Sequence, residues 1–201
     1  MMIRFCLVGV MLFACSLSLG DEDKQKSNAV NDVILKVERE LEEWRHDVLK
    51  KIKTDSDVKI RPFTTDGCSG GMSDGWHYMA RVLPVFKKKF GDKPPWEECC
   101  IIHDKAYWVG DTDKGFEKRL QADQTLRQCV SDYGKSHSKE FSQQFNLEKT
   151  TIETQFNITA ELMFRAVRAG GQPCTYFPWR WGYGWPLCQN HINNNTSKDK
   201  H

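Results

Sequence analysis

The sequence predicts a mainly α-helical, disulfide-bonded domain of an exported protein, and three observations predict it. Apolar residues recur at helical spacing in several long stretches, six cysteines follow an N-terminal export signal, and the segments between the periodic stretches are rich in glycine and proline. No internal repeat and no second domain is legible.

The export signal is residues 1–20, "MMIRFCLVGVMLFACSLSLG". A basic residue at Arg4 precedes an apolar run from Phe5 to Ala14, and Ser18 and Gly20 are the small residues a signal peptidase reads. The run is too short to span a bilayer comfortably, so cleavage after Gly20 would leave a secreted chain, extracellular or periplasmic. A second reading takes "LFAC" as a lipoprotein box with Cys15 lipidated; the bulky Phe13 and the apolar "SLSLG" that follows oppose it. Of the eight cysteines, Cys6 and Cys15 leave with the signal. The even set that remains, Cys68, Cys99, Cys100, Cys129, Cys174 and Cys188, reads as three disulfides made in an oxidising compartment. The mature length suits a single domain over 21–190, with a disordered tail at 191–201. A net charge of only +2 gives no case for a polyanion, so no nucleic-acid partner is expected.

Along the chain, Val30, Val33, Ile34, Val37, Leu41, Trp44, Val48 and Ile52 keep helical spacing on one apolar face, which predicts an accessory helix over 29–53 after a polar entry at Asp21 to Asn28. Its polar face mixes Glu and Lys, which favours a packing helix over one that lies on a membrane. "TDSD" breaks the pattern and the glycine-rich loop "DGCSGGMSDG" follows. A short helix at Trp76 to Phe86 would end in "KKKFGDKPPW". "PWEECCIIHDKAYWVG" opens with proline and acidic residues and turns apolar, as a helix N-terminus does. The turn "GDTDKG" leads to a helix at Phe116 to Tyr133, and another is expected near Ile152 to Val167. "AGGQPCTYFPWRWGYGWPLC" has too much Gly, Pro and aromatic character to be helical.

The chemistry concentrates in "CCIIHDKAYW". Residues four apart share a helix face, so Cys99, His103 and Tyr107 form one stripe, with Cys100 and Asp104 on the next. The short turn after this helix forces the following one to run back antiparallel. One register then allows a Cys99–Cys129 bridge and, a turn or two away, His103 facing Asp123, although the match is approximate. A carboxylate beside an imidazole fixes its tautomer and stabilises its charged form. No serine or free cysteine is placed as a nucleophile, so His103 as a base would activate water. Spacing alone leaves a satisfied buried histidine as the competing reading. Oxidised adjacent cysteines do not ligate zinc, and their spacing to His103 is wrong for it. Asp104 is a hard carboxylate near a glycine-rich loop with free backbone carbonyls, a set that suits calcium; the plain alternative for that loop is an ordinary turn.

Residues 66–129, about a third of the chain, resemble the secreted phospholipase A2 family. "CCIIHDKAY" is similar to its active-site helix, C-C-x-x-H-D-x-x-Y, and "ADQTLRQC" places an aspartate six residues before a cysteine as its second long helix does. The resemblance implies a fold with a pair of antiparallel, disulfide-linked helices and a glycine-rich calcium loop, catalytic core 66–133, here with an extra N-terminal helix and an aromatic C-terminal loop. It implies His103 as base, Asp123 orienting it, and Tyr107 hydrogen-bonding Asp123. Calcium would be held by Asp104 and the backbone carbonyls of Gly67, Ser69 and Gly71, with an N–H near Gly70 assisting at the oxyanion. The implied disulfides are Cys68–Cys100 and Cys99–Cys129, with Cys174–Cys188 closing the aromatic loop. The chain departs from the family in having one loop cysteine where C-x-C is usual, an insertion from Trp76 to Trp96, and no β-hairpin between the two helices, a turn like that of the smaller all-helical members.

The activity so implied is calcium-dependent hydrolysis of the middle ester of a glycerophospholipid; the alternative is a non-catalytic phospholipase-like protein that binds a lipid or protein. A general esterase is disfavoured because no G-x-S-x-G appears. The partner is a phospholipid surface and a monomer is expected. Two segments are candidates for the lipid contact. "FKKKFGDKPPW" sets Phe86, Phe90 and Trp96 beside lysines, or is a solvated charge run; "YFPWRWGYGW" is an interfacial belt, or a loop packed over the core. Sequons stand at Asn157, Asn194 and Asn195.

Overall fold

The computed structural model describes residues 21–65, 67, 68, 91 and 93–189, and the side chains from 36 onward. The expected signal (1–20), the short helix (76–86), the loop residues Ser69, Gly70 and Gly71, Phe86 and Phe90, and the tail (191–201) lie outside the described residues. Five helices are seen among them and no strand: α1 (Asp21–Thr54), α2 (Glu97–Val109), α3 (Gly115–Ser136), α4 (Ser138–Phe145) and α5 (Lys149–Gly170). No described helix is long and apolar enough to cross a membrane.

The chain divides into two compact units, Met1–Glu38 and Arg39–His201, the boundary falling within α1. In the first unit the polar entry Asp21 to Asn28 is itself helical. The hydrophobic core belongs to the second unit.

Within the second unit, α1 corrects the expected burial of its apolar face. Leu41 and Trp44 are exposed, at 45% and 56%, whereas Glu42, His46, Leu49 and Ile52 are buried. The buried stripe runs beside the predicted apolar face and shares Ile52 with it. It opens on a carboxylate, which burial tolerates because Arg119 neutralises it. Hydrophobic periodicity is blind to a face organised around an ion pair.

Helix α2 starts after Pro94 and Pro95 with Glu97 and Glu98 in its first turn, where the helix dipole favours negative charge. It stops at Gly110, whose φ of 56° is left-handed and whose N–H bonds to the Ala106 carbonyl. A Cβ at Gly110 would fall 2.3 Å from Gly182 Cα, so glycine is required for the C-terminal segment to approach. That segment docks through Gly182 N–H to the Tyr107 carbonyl (2.6 Å) and Gly184 N–H to the Trp108 carbonyl (3.2 Å). Trp181 is thereby buried against Tyr107 and Leu49.

The turn Gly110–Lys114 sends α3 back along α2, and Cys99–Cys129 joins the two at a Cα separation of 5.7 Å. Cys68–Cys100 and Cys174–Cys188 complete the three bridges, a set that belongs to an oxidising compartment. α5 packs along α3, where Leu126, Val130, Ala160 and Met163 build the main core around the two bridges of α2. Trp96 joins that core, edge-on to Phe156, which removes it from the proposed lipid contact. Helix α4 has only Phe141 and Phe145 to announce its period; Phe141 anchors it by stacking on Phe156 of α5.

Candidate active site

His103, Asp104 and Tyr107 sit on the buried side of α2, and Asp123 comes from α3. The register set by Cys99–Cys129 brings His103 Nε2 to 2.9 Å from Asp123 Oδ1. Tyr107 donates its hydroxyl proton to the same oxygen at 2.7 Å. Asp123 Oδ2 accepts from Arg168 of α5 at 3.0 Å, and Arg119 Nη1 lies 3.5 Å away. With both oxygens engaged the carboxylate has one orientation, and it demands a proton on His103 Nε2. Nδ1 is then left with its lone pair.

Nδ1 lies 3.8 Å from Asp104 Oδ1. His103 is 6% exposed and Asp104 9%. Burial alone would lower the His103 pKa; the carboxylates of Asp104 and Asp123 outweigh it and raise the group above its ordinary 6.5. For Tyr107, burial first and the Asp123 charge second push the pKa well above 10, so the hydroxyl remains a donor.

Two cavities flank the imidazole. The larger, about 510 Å³, runs between α2 and α3 past Ala106, Ala122 and Trp181. The smaller, about 250 Å³, is lined by Gly67, Cys68 and Asp104 together with Leu162, Met163 and Trp179. Asp104 borders only the smaller one, and Nδ1 is the nitrogen nearer Asp104. Of the two, it is the 250 Å³ cavity that His103 and Asp104 line together, and Leu162, Met163 and Trp179 make part of its lining apolar.

The Thr65 hydroxyl donates to Asp104 Oδ2 at 2.5 Å, and Gly67 N–H donates to Thr65 Oγ1 at 3.0 Å. Cys68 ties this strand of backbone to Cys100, four residues before Asp104. Among the described residues no Lys or Arg pairs with Asp104, and no group of three or more His, Cys, Asp or Glu side chains gathers into a metal cluster. A hard carboxylate without a cationic side chain, held beside turning backbone at Gly67 (φ 77°), fits a calcium ion that takes its remaining oxygens from backbone and water. Of the predicted ligands, Asp104 and Gly67 line the same cavity, whereas Ser69 and Gly71, and the Gly70 expected at the oxyanion, lie outside the described residues.

Three further charged residues surround Asp123 and Tyr107. Arg119 pairs with both Glu42 oxygens, at 2.6 and 2.7 Å, and donates to the Tyr107 hydroxyl at 3.2 Å. Arg168 reaches Glu42 Oε2 at 3.1 Å as well as Asp123. Burial works to raise the Glu42 pKa, but the hydrogen bond from Arg119 and the surrounding cations bring it down to about 2. Arg119 stands four residues before Asp123 on one helix face, a spacing the sequence does display. Glu42 and Arg168 carry no such signal.

Compared with family models, curated proteins and solved structures, the chain matches none.

Proposed function

We propose that the protein is a secreted, calcium-dependent phospholipase A2-type hydrolase, which cleaves the sn-2 ester of glycerophospholipids with a water activated by His103. The observation that carries this reading is the division of labour on one imidazole. Nε2 is committed to Asp123, and Nδ1 lies on the side of Asp104, with which His103 lines a cavity that also has apolar lining.

His103 Nδ1 takes a proton from water as the oxygen attacks the ester carbonyl, and the Asp123 carboxylate stabilises the imidazolium. The same proton then goes to the glycerol oxygen as the acyl C–O bond breaks, leaving a free fatty acid and a lysophospholipid. Asp104 with the carbonyls of Gly67, Ser69 and Gly71 would hold calcium, which when bound supplies positive charge to the ester carbonyl and the substrate phosphate. Leu162, Met163 and Trp179 give an acyl chain an apolar surface. Tyr176 and Phe177, 76% and 50% exposed, offer contact with a lipid surface, while Arg180 and Trp181 of the same segment are buried and do not.

The test is fatty-acid release from mixed phospholipid vesicles by the folded, disulfide-bonded protein, with calcium and with excess chelator. Calcium-dependent release from the sn-2 position is expected. No release in either condition rejects the enzyme in favour of a lipid- or protein-binding role.

A further inference from the structure

We infer that Glu42 of the accessory helix is a positioning residue for the His103–Asp123 pair, an inference that rests on the hydrolase reading above. Its task is to keep Arg119 off Asp123. The cluster holds two guanidiniums and two carboxylates, all from the second unit: Arg119 of α3, Arg168 of α5, Asp123 of α3 and Glu42 of α1. Arg119 is fully buried, and its ionic grip is on Glu42, through both oxygens. Towards Asp123 it stands at 3.5 Å, outside hydrogen-bond range, with Nη1 spent on the Tyr107 hydroxyl and the Val167 carbonyl.

Without the Glu42 charge, the nearest carboxylate to a buried cation is Asp123, one helical turn along α3. A fork-shaped guanidinium prefers to take both oxygens of a carboxylate. Arg119 would then compete for Oδ1, the oxygen that orients His103 and accepts from Tyr107. Arg168 already occupies Oδ2 and also donates to Glu42 Oε2, so of the two arginines it is Arg168 that bonds both carboxylates, while Arg119 is held on Glu42. The accessory helix, which resembles nothing in the phospholipase pattern, thus supplies part of the machinery that fixes the imidazole.

The experiment compares wild type, Glu42→Gln and the double variant Glu42→Leu/Arg119→Met, each checked for three disulfides and a cooperative melt. Two quantities are read: kcat and KM for fatty-acid release at saturating calcium, and the downfield proton resonance of the His103 Nε2–H bonded to a carboxylate. Glu42→Gln is expected to lower kcat about tenfold to a hundredfold with KM unchanged, and to lose or shift the resonance. The double variant, with the competitor removed along with its counter-charge, is expected to recover both. Glu42 acting only as a packing residue predicts losses that accumulate, so a double variant as slow as Glu42→Gln overturns the inference. So does a Glu42→Gln protein with wild-type kcat and resonance. If Glu42→Gln does not fold, the double variant decides alone: folded and active it supports the inference, folded and slow it overturns it. A wild type that releases no fatty acid rejects the hydrolase reading, while the resonance still tests the positioning.

Discussion

The Tyr107 hydroxyl and the His103 imidazole meet on one oxygen, Asp123 Oδ1, at 2.7 and 2.9 Å. The tyrosine is thus a second clamp on the orienting carboxylate, and its ring also tilts against the imidazole at a centroid distance of 4.2 Å. Tyr107→Phe keeps the ring contact and removes the hydrogen bond to Asp123 and the longer one from Arg119. Arg168 and His103 still hold the carboxylate, so the expected cost is about 1 kcal/mol of stability and a drop of a few-fold in kcat. Asp123→Asn is different in kind, because an amide nitrogen facing Nε2 inverts the tautomer; a fall of about 10⁴ in kcat is expected. Steady-state kinetics on the two variants check the order, and a Tyr107→Phe protein as slow as Asp123→Asn would contradict it.

His103→Gln should abolish turnover while the protein still folds. The amide can donate to Asp123, so the buried carboxylate keeps a partner, but it accepts no proton at neutral pH. Asp104→Asn should remove calcium binding, measured by calorimetry, together with fatty-acid release. Retention of full activity by His103→Gln would end the mechanism.

The fold was legible where the sequence repeats with one period and the site where residues lie close in the chain. The antiparallel pair α2/α3 follows from the short turn between them, and the spacing within "CCIIHDKAYW" and "ADQTLRQC" allows, approximately, the register that joins Cys99 to Cys129 and sets His103 on Asp123. α1 is helical as its periodicity requires, yet its apolar stripe misleads about which face is buried, because Glu42 and His46 turn inward and Trp44 outward. Helix α4 shows too few apolar residues for its period to be recognised. Glu42 and Arg168 reach Asp123's surroundings from 81 and 45 positions away in sequence numbering, and pairing at such separation leaves no local trace.

The Cys68–Cys100 bridge closes a loop with a sequence separation of 32. Replacing both cysteines by alanine is expected to cost about 3–4 kcal/mol of unfolding free energy through loop-closure entropy. Calcium affinity should fall as well, because the bridge holds Gly67 beside Asp104. Replacing Cys174 and Cys188, whose separation is 14, should cost somewhat less stability and leave calcium affinity intact. Denaturant melts and calcium titrations of the two double variants separate the effects; equal loss of calcium affinity in both would remove the loop from the proposed metal site.

Glu42 makes stability depend on acid in a definite window. Its carboxyl has an ordinary pKa of 4.5 and one of about 2 in the folded protein. The folded state therefore binds the proton less tightly than the unfolded chain, and the stabilisation is complete above 4.5 and lost as pH falls towards 2. A difference of that size corresponds to roughly 3 kcal/mol, undiminished by solvent because the side chain is buried against Arg119, Arg168 and His46. Glu42→Gln has no proton to gain there. The difference in unfolding free energy between wild type and Glu42→Gln should accordingly shrink across this window, as the protonated carboxyl comes to resemble the amide. Urea melts at several pH values read it directly, and a difference that stays constant down to pH 2 would show that Glu42 is not the anion that neutralises Arg119.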